Sequence, residues 1–109
     1  MVKSKDQVEK SVKTLIRQVS REYRITEAIL FGSYAHGTPR DESDIDVALV
    51  SPDFSGKDEM EILQDLSRRA MKIDTLLEVV VFCPEELASP DPRSFPYQVK
   101  TSGISIAVS

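Results

Sequence analysis

Apolar residues recur at Val8, Val12, Leu15, Ile16, Val19 and Tyr23, with lysine and glutamate on the opposite face. Spacings of three and four put these side chains on one stripe, which predicts an amphipathic helix over residues 6–23. Residues 25–31 then read as a short buried strand that stops at Gly32, and residues 33–37 have room for one helical turn. Residues 38–42 are polar, contain Pro39 and read as a loop. From 44 to 50 the period becomes two: Asp44, Asp46, Ala48 and Val50 share one face of a strand, and Ile45, Val47 and Leu49 share the other.

A turn over 51–56 leads to a second helix over 58–71, read from Met60, Leu63, Leu66, Ser67 and Ala70. Residues 76–82 form a third strand, which Pro84 ends. The stretch 89–96, with Pro90, Pro92 and Pro96, reads as irregular; a short helix from 95 or 96 to 102 follows, with Gly103 at its carboxyl-terminal cap. Ile104, Ile106 and Val108 alternate with small residues and predict a last strand. Strands alternating with helices imply an α/β (α+β) domain, a sheet with helices packed on it. The order and direction of the strands stay open.

Composition works mainly by exclusion. A length of 109 residues fits one domain spanning the chain, and 40% hydrophobic with 29% charged residues is ordinary for a globular protein. The net charge of −4 argues against binding nucleic acid through clustered lysine and arginine, and no Trp with only three Tyr and four Phe argues against a stacking platform for single strands. Direct nucleic-acid binding is therefore not expected. Cys83 is the only cysteine, so no internal disulfide forms, which fits a reducing compartment. The charged first ten residues do not read as a signal peptide, and no apolar run approaches the ~20 residues of a membrane span. The expectation is a cytoplasmic protein without a membrane partner.

The candidate chemistry lies in Gly32-Ser33-Tyr34-Ala35-His36-Gly37, five residues, and Ser43-Asp44-Ile45-Asp46. Two acids two apart on a strand project from one face and raise each other's proton affinity. A divalent cation relieves that repulsion, and Mg²⁺ suits it, being held by one or two carboxylates plus substrate phosphates. A bare Asp-x-Asp pair is as often a solvated strand edge. A Gly-Ser turn after a strand is usually a helix cap, but its free N–H groups also attract phosphate. Here the turn stands a short loop before the paired acids, so both can converge on one triphosphate and its metal.

With that spacing the segment resembles the motif of the DNA polymerase β-like nucleotidyltransferase superfamily, and more narrowly the minimal nucleotidyltransferases of bacteria and archaea. The resemblance implies the nucleotidyltransferase fold, with a mixed sheet of three to four strands. It implies that Gly32 and Ser33 hold the β- and γ-phosphates of ATP and that Asp44 and Asp46 bind Mg²⁺, normally two ions. It also calls for a third carboxylate from a later strand. Glu78, an acid within the apolar stretch 76–82, is the candidate, on the reading that a buried charge there needs a metal or partner. Asp74, just before that strand, is the runner-up and fits a loop or cap role. His36 and Arg40 read as loop residues, and Cys83 as a small apolar filler.

The implied activity is Mg²⁺-dependent transfer of AMP from ATP to an acceptor hydroxyl. Minimal nucleotidyltransferases are often paired with a small helical protein of the HEPN class in toxin–antitoxin modules, so the resemblance makes that partner the expected acceptor. The other reading is a non-catalytic antitoxin that blocks its partner by contact. The positions of the three carboxylates discriminate between them.

Overall fold

The computed structural model describes residues 4–37, 44–55 and 58–108. The expected loop 38–42, with Pro39 and Arg40, lies outside the described residues, as do Ser43 and the side chain of His36.

Helix α1 (Lys5–Val19) starts where Ser4 closes a capping box: the Ser4 hydroxyl accepts from the Gln7 amide at 3.2 Å, and the Gln7 side chain accepts from the Ser4 amide at 2.9 Å. Its stripe Val8, Val12, Leu15, Ile16 and Val19 is buried. The helix ends at Val19 rather than at Tyr23, whose ring instead packs against Phe54 with centroids 5.3 Å apart.

The strands β1 (Glu27–Phe31), β2 (Ile45–Val50), β3 (Leu77–Phe82) and β4 (Ile104–Ile106) form one sheet in the order β3-β2-β1-β4. β1 is antiparallel to both β2 and β4, while β2 and β3 are parallel, so the sheet is mixed. The parallel pair follows from its connection. Helix α3 (Glu59–Ile73) carries the chain back between them, as parallel neighbours require. The Asp58 carboxylate caps α3, accepting from the amides of Met60 and Glu61. Its buried positions are Ile62, Leu66 and Ala70; Met60, read as part of the buried stripe, is 61% exposed.

Period two in β2 sorts the core into two layers. Ile45, Val47 and Leu49 pack with α1 and α3, and Ala48 and Val50 pack on the other face with Ile29, Phe82, Leu87 and Val99. That second layer is covered by α4 (Pro84–Leu87) and α5 (Phe95–Ser102). The short helix α4 was not expected from Pro84, yet its signals are local: Pro84 in the first turn, two acids beside it, and Cys83 capping with Glu86. Gly103 does end α5, but with extended backbone at φ −87° rather than the left-handed cap conformation. It is there for room, since a Cβ would run into Ile29 and the backbone carbonyls of Val99 and Leu30.

No helix among the described residues is long and apolar enough to cross a membrane.

Candidate active site

β1 ends in Phe31, and the chain then turns sharply at Gly32 into the single turn of α2 (Ser33–His36). Gly32 has φ 76° and ψ −153°, a region open essentially to glycine alone. A second constraint acts at the same atom. A side chain at Gly32 would collide with the carboxylate of Asp46, so the turn and that acid are in direct apposition. The Gly32 carbonyl accepts from the Ala35 amide at 3.1 Å, which tightens the turn and leaves Ser33 at the helix start.

Asp46 lies on β2, opposite Phe31 of β1 on one side and Glu78 of β3 on the other. These cross-strand partners share a face, so Glu78, Asp46 and Phe31 form a row at one end of the sheet. Asp44 sits just before β2 and is exposed; Asp46 is half-buried and Glu78 is exposed. Burial, the charge of Glu78, the charge of Asp44 and a side-chain hydrogen bond to Glu78 together push the Asp46 carboxyl up to about 6. The charges of both other acids thus reach Asp46.

The expected third acid is thus brought to the pair, but its premise is corrected. Glu78 is exposed: it shares a face with Val80 and Phe82, but burial on that face rises along β3 from exposed Glu78 through half-buried Val80 to buried Phe82. Asp74 has another place in the fold. It is the C-cap of α3, and its carboxylate accepts from the Leu76 amide at 2.9 Å, which shapes the turn into β3. Cys83 caps α4, and burial pushes its thiol up to about 11, away from the reactive thiolate.

Pattern reading missed the aromatic neighbours of this row. Phe31 and Phe82 each meet Phe95, at the start of α5, edge-on with ring centroids 5.7 Å apart. Phe95 remains 48% exposed. The only signal in the chain was Phe31 directly before the glycine turn. Beside the row a cavity of about 250 Å³ opens, bounded by Asp46 and Glu78 and by Ser67, Met71 and Thr75.

Among the described residues no three His, Cys, Asp or Glu side chains are already closed into a metal cage. The donor set nonetheless suits a hard divalent cation. All the groups are carboxylate oxygens, and burial together with the negative charges of Glu78 and Asp44 raises the proton affinity of Asp46.

A family model for the nucleotidyltransferase domain matches residues 12–101. The chain is 30% identical over 74 residues to a candidate protein adenylyltransferase of Methanocaldococcus jannaschii, covering 67% of this chain and 70% of that one. Its fold is similar to that of a crystal structure of a candidate nucleotidyltransferase from Sulfolobus solfataricus, with TM-score 0.66, 20% identity, and 96% and 89% of the two chains covered. It is similar as well to a toxin–antitoxin structure with AMP-PNP, with TM-score 0.65, 24% identity, and 91% and 72% covered. A mutant of the toxin–antitoxin MntA–HpeT gives TM-score 0.60 at 20% identity, with 91% of this chain and 72% of that one covered. With the glycine turn, the row of acids and a match over most of its length, the chain belongs to the nucleotidyltransferase domain family.

Proposed function

We propose that the chain is an adenylyltransferase that moves AMP from Mg²⁺-ATP to a hydroxyl of a partner protein, and that residues 1–109 act as one catalytic domain. The observation that carries this reading is the apposition of the Gly32 turn to Asp46, with Glu78 in register beside it. A phosphate chain on the turn would meet the acids directly.

Each residue then has a task. The backbone at Gly32 and the Ser33 hydroxyl bind the β- and γ-phosphates. Asp44, Asp46 and Glu78 would hold the divalent metal, one ion or two. Bound there, the metal would offset charge on the phosphates and make the acceptor hydroxyl more acidic. Glu78, the solvent-facing acid, takes the acceptor's proton as its oxygen bonds to the α-phosphorus. The bond from that phosphorus to the bridging oxygen breaks, and pyrophosphate leaves. The exposed edge of the row gives the acceptor access.

The protein acceptor is supported by the name of the M. jannaschii relative, and the toxin–antitoxin setting by the fold neighbours. On that basis the acceptor is a small helical partner of the HEPN class, and the chain acts as its antitoxin by modifying it. Incubation with ATP labelled at the α-phosphate, with and without the product of the neighbouring gene, tests the reading. Label on the partner, dependent on Mg²⁺, is the expected result. Neutralisation of the partner by an unlabelled, chelator-resistant complex would replace it with the contact-only antitoxin.

A further inference from the structure

At the far side of the sheet from Glu78, strand β4 is bonded to β1 along one edge, and among the described residues no strand covers its other edge. Such an edge presents unpaired backbone N–H and C=O groups, a template for another strand. Proteins usually blunt an open edge with charge or proline. Here the strand reads Ile104-Ser105-Ile106, and Ile104 is 44% exposed.

Two apolar depressions lie along this edge. The first, of about 430 Å³, is bounded by Leu30, Tyr34, Ala35, Ile104 and Ile106, together with Lys5 and Glu9 of α1. The second, of about 280 Å³, is bounded by Ile16, Ala107 and Val108, together with Lys13 and Arg17 of α1. They succeed one another along the chain, Ile106 bordering the first and Ala107 the second. An extended chain laid on β4 sends alternate side chains to the α1 side, so it can seat one in each. The hydroxyl of Tyr34 is buried without a hydrogen-bond partner. A carbonyl entering the first depression would satisfy it.

Charge selects the occupant. The flank of α1 above the depressions carries Lys5, Lys10, Lys13 and Arg17 against Asp6 and Glu9; Lys13 and Glu9 pair at 3.1 Å, so the remaining surplus is positive. A second copy placed across a twofold axis would set this basic flank against itself. An acidic segment meets complementary charge. The flank is a local feature, since the whole chain carries −4. Lys5, Val8, Glu9, Ile104 and Ile106 lie outside the 12–101 family match, while Tyr34, Ala35 and Gly37, on the back of the glycine turn, close the inner wall of the first depression.

We propose that the open edge of β4 takes up an extended acidic segment of a partner protein, with apolar side chains seated in the two depressions and carboxylates paired with Lys5 and Arg17. The probe is a short capped valine–glutamate peptide titrated into the full chain while backbone amide resonances are followed. The expected result is shifts and slowed exchange at Ile104, Ser105 and Ile106, weakened by salt. The variant Lys5→Glu/Arg17→Glu, on two exposed side chains, should keep its melting temperature and bind about tenfold more weakly. Ile104→Lys should abolish the shifts, and a valine–lysine peptide should not bind the parent. Equal binding of both peptides, or no response at β4, overturns the proposal. So does a concentration-dependent dimer with 104–106 protected, which gives the edge to a second copy. Filling of the first depression by indole with the β4 amides unmoved, and no peptide binding, would make it a small-molecule cavity instead.

Discussion

Asp46 and Glu78 stand in register across the parallel strands β2 and β3, close enough that the charge of Glu78 raises the proton affinity of Asp46. Two acids so placed contribute nothing to folding as a pair of anions. The fold keeps them together because β2 and β3 are fixed elsewhere, by Val47 and Leu49 on the α1 and α3 side and by Val50 and Phe82 on the other. The cost of the site is borne by the hydrophobic layers around it.

That cost has a sign in pH. The Asp46 carboxyl is raised from its ordinary 3.8 to about 6, so the folded chain holds the proton more tightly than the unfolded chain. Its favourable contribution is complete below the ordinary value and is lost as pH rises through about 6. In chelator, Asp46→Asn should therefore be more stable than the parent at neutral pH, by on the order of 1 kcal/mol after allowing for solvent screening of a half-buried group. That corresponds to roughly 4–8 °C in melting temperature. The advantage should shrink as pH falls from about 7 to about 4. Melting curves across that range check it; a lower melting temperature for the variant at every pH would make Asp46 a structural acid.

Gly32 carries two separable constraints, and a mutant cycle can part them. Gly32→Ala forces an alanine into backbone space open to glycine and also drives its Cβ into Asp46. The expected loss is roughly 2–4 kcal/mol in denaturant melts, from backbone strain plus overpacking. In the Asp46→Ala background the collision disappears and only the strain remains, so Gly32→Ala should cost about 1–3 kcal/mol there. Strict additivity of the two substitutions would mean that Asp46 does not lie against the turn.

Most of the fold was legible because its signals are periodic. The period-two split of β2 anticipates both core layers, and the stripe from Val8 to Val19 anticipates the buried face of α1. The motif placed Asp44, Asp46 and Gly32 in one neighbourhood. Three features were not legible in the same way. The parallel pairing that puts Glu78 beside Asp46 depends on long-range contacts, which local pattern does not encode. The exposure of Glu78 inverted the reason for choosing it, since an acid at the start of an apolar strand can lie where the covering layer has not yet begun. Met60 was counted into the stripe of α3, although the buried line runs through Ile62, Leu66 and Ala70.

The metal assignment predicts how nucleotide binds. With all the acids drawn to one edge of the sheet, ATP alone brings further negative charge to a site already short of cation. Calorimetry should show ATP binding in the presence of Mg²⁺ that weakens at least about tenfold in chelator, a change of ~1.4 kcal/mol. Asp44→Asn should reduce the Mg²⁺ dependence without unfolding the chain, because Asp44 is exposed and precedes β2. ATP bound equally well with and without Mg²⁺ would remove the metal from the site.

Glu78 and Asp74 can be told apart by substitutions that keep their shapes. Glu78 is exposed, is the register partner of Asp46, and is free of any role in a turn or cap described by the backbone. Glu78→Gln preserves volume and removes one negative charge beside Asp46, so the fold should hold or gain slightly. If its carboxylate takes the acceptor's proton, transfer should fall about 10²–10⁴-fold, the usual scale for losing a general base. ATP binding should largely survive, because Asp44, Asp46 and the Gly32 turn remain. Asp74 ends α3 and accepts from the Leu76 amide, a bond that an asparagine carbonyl can also accept. Asp74→Asn should therefore stay within a few-fold of parent activity and lose at most about 1 kcal/mol of stability. Label transfer from ATP and melting curves on the same two variants decide the matter. An active Glu78→Gln beside an inactive, fully folded Asp74→Asn would move the third carboxylate from β3 to the end of α3.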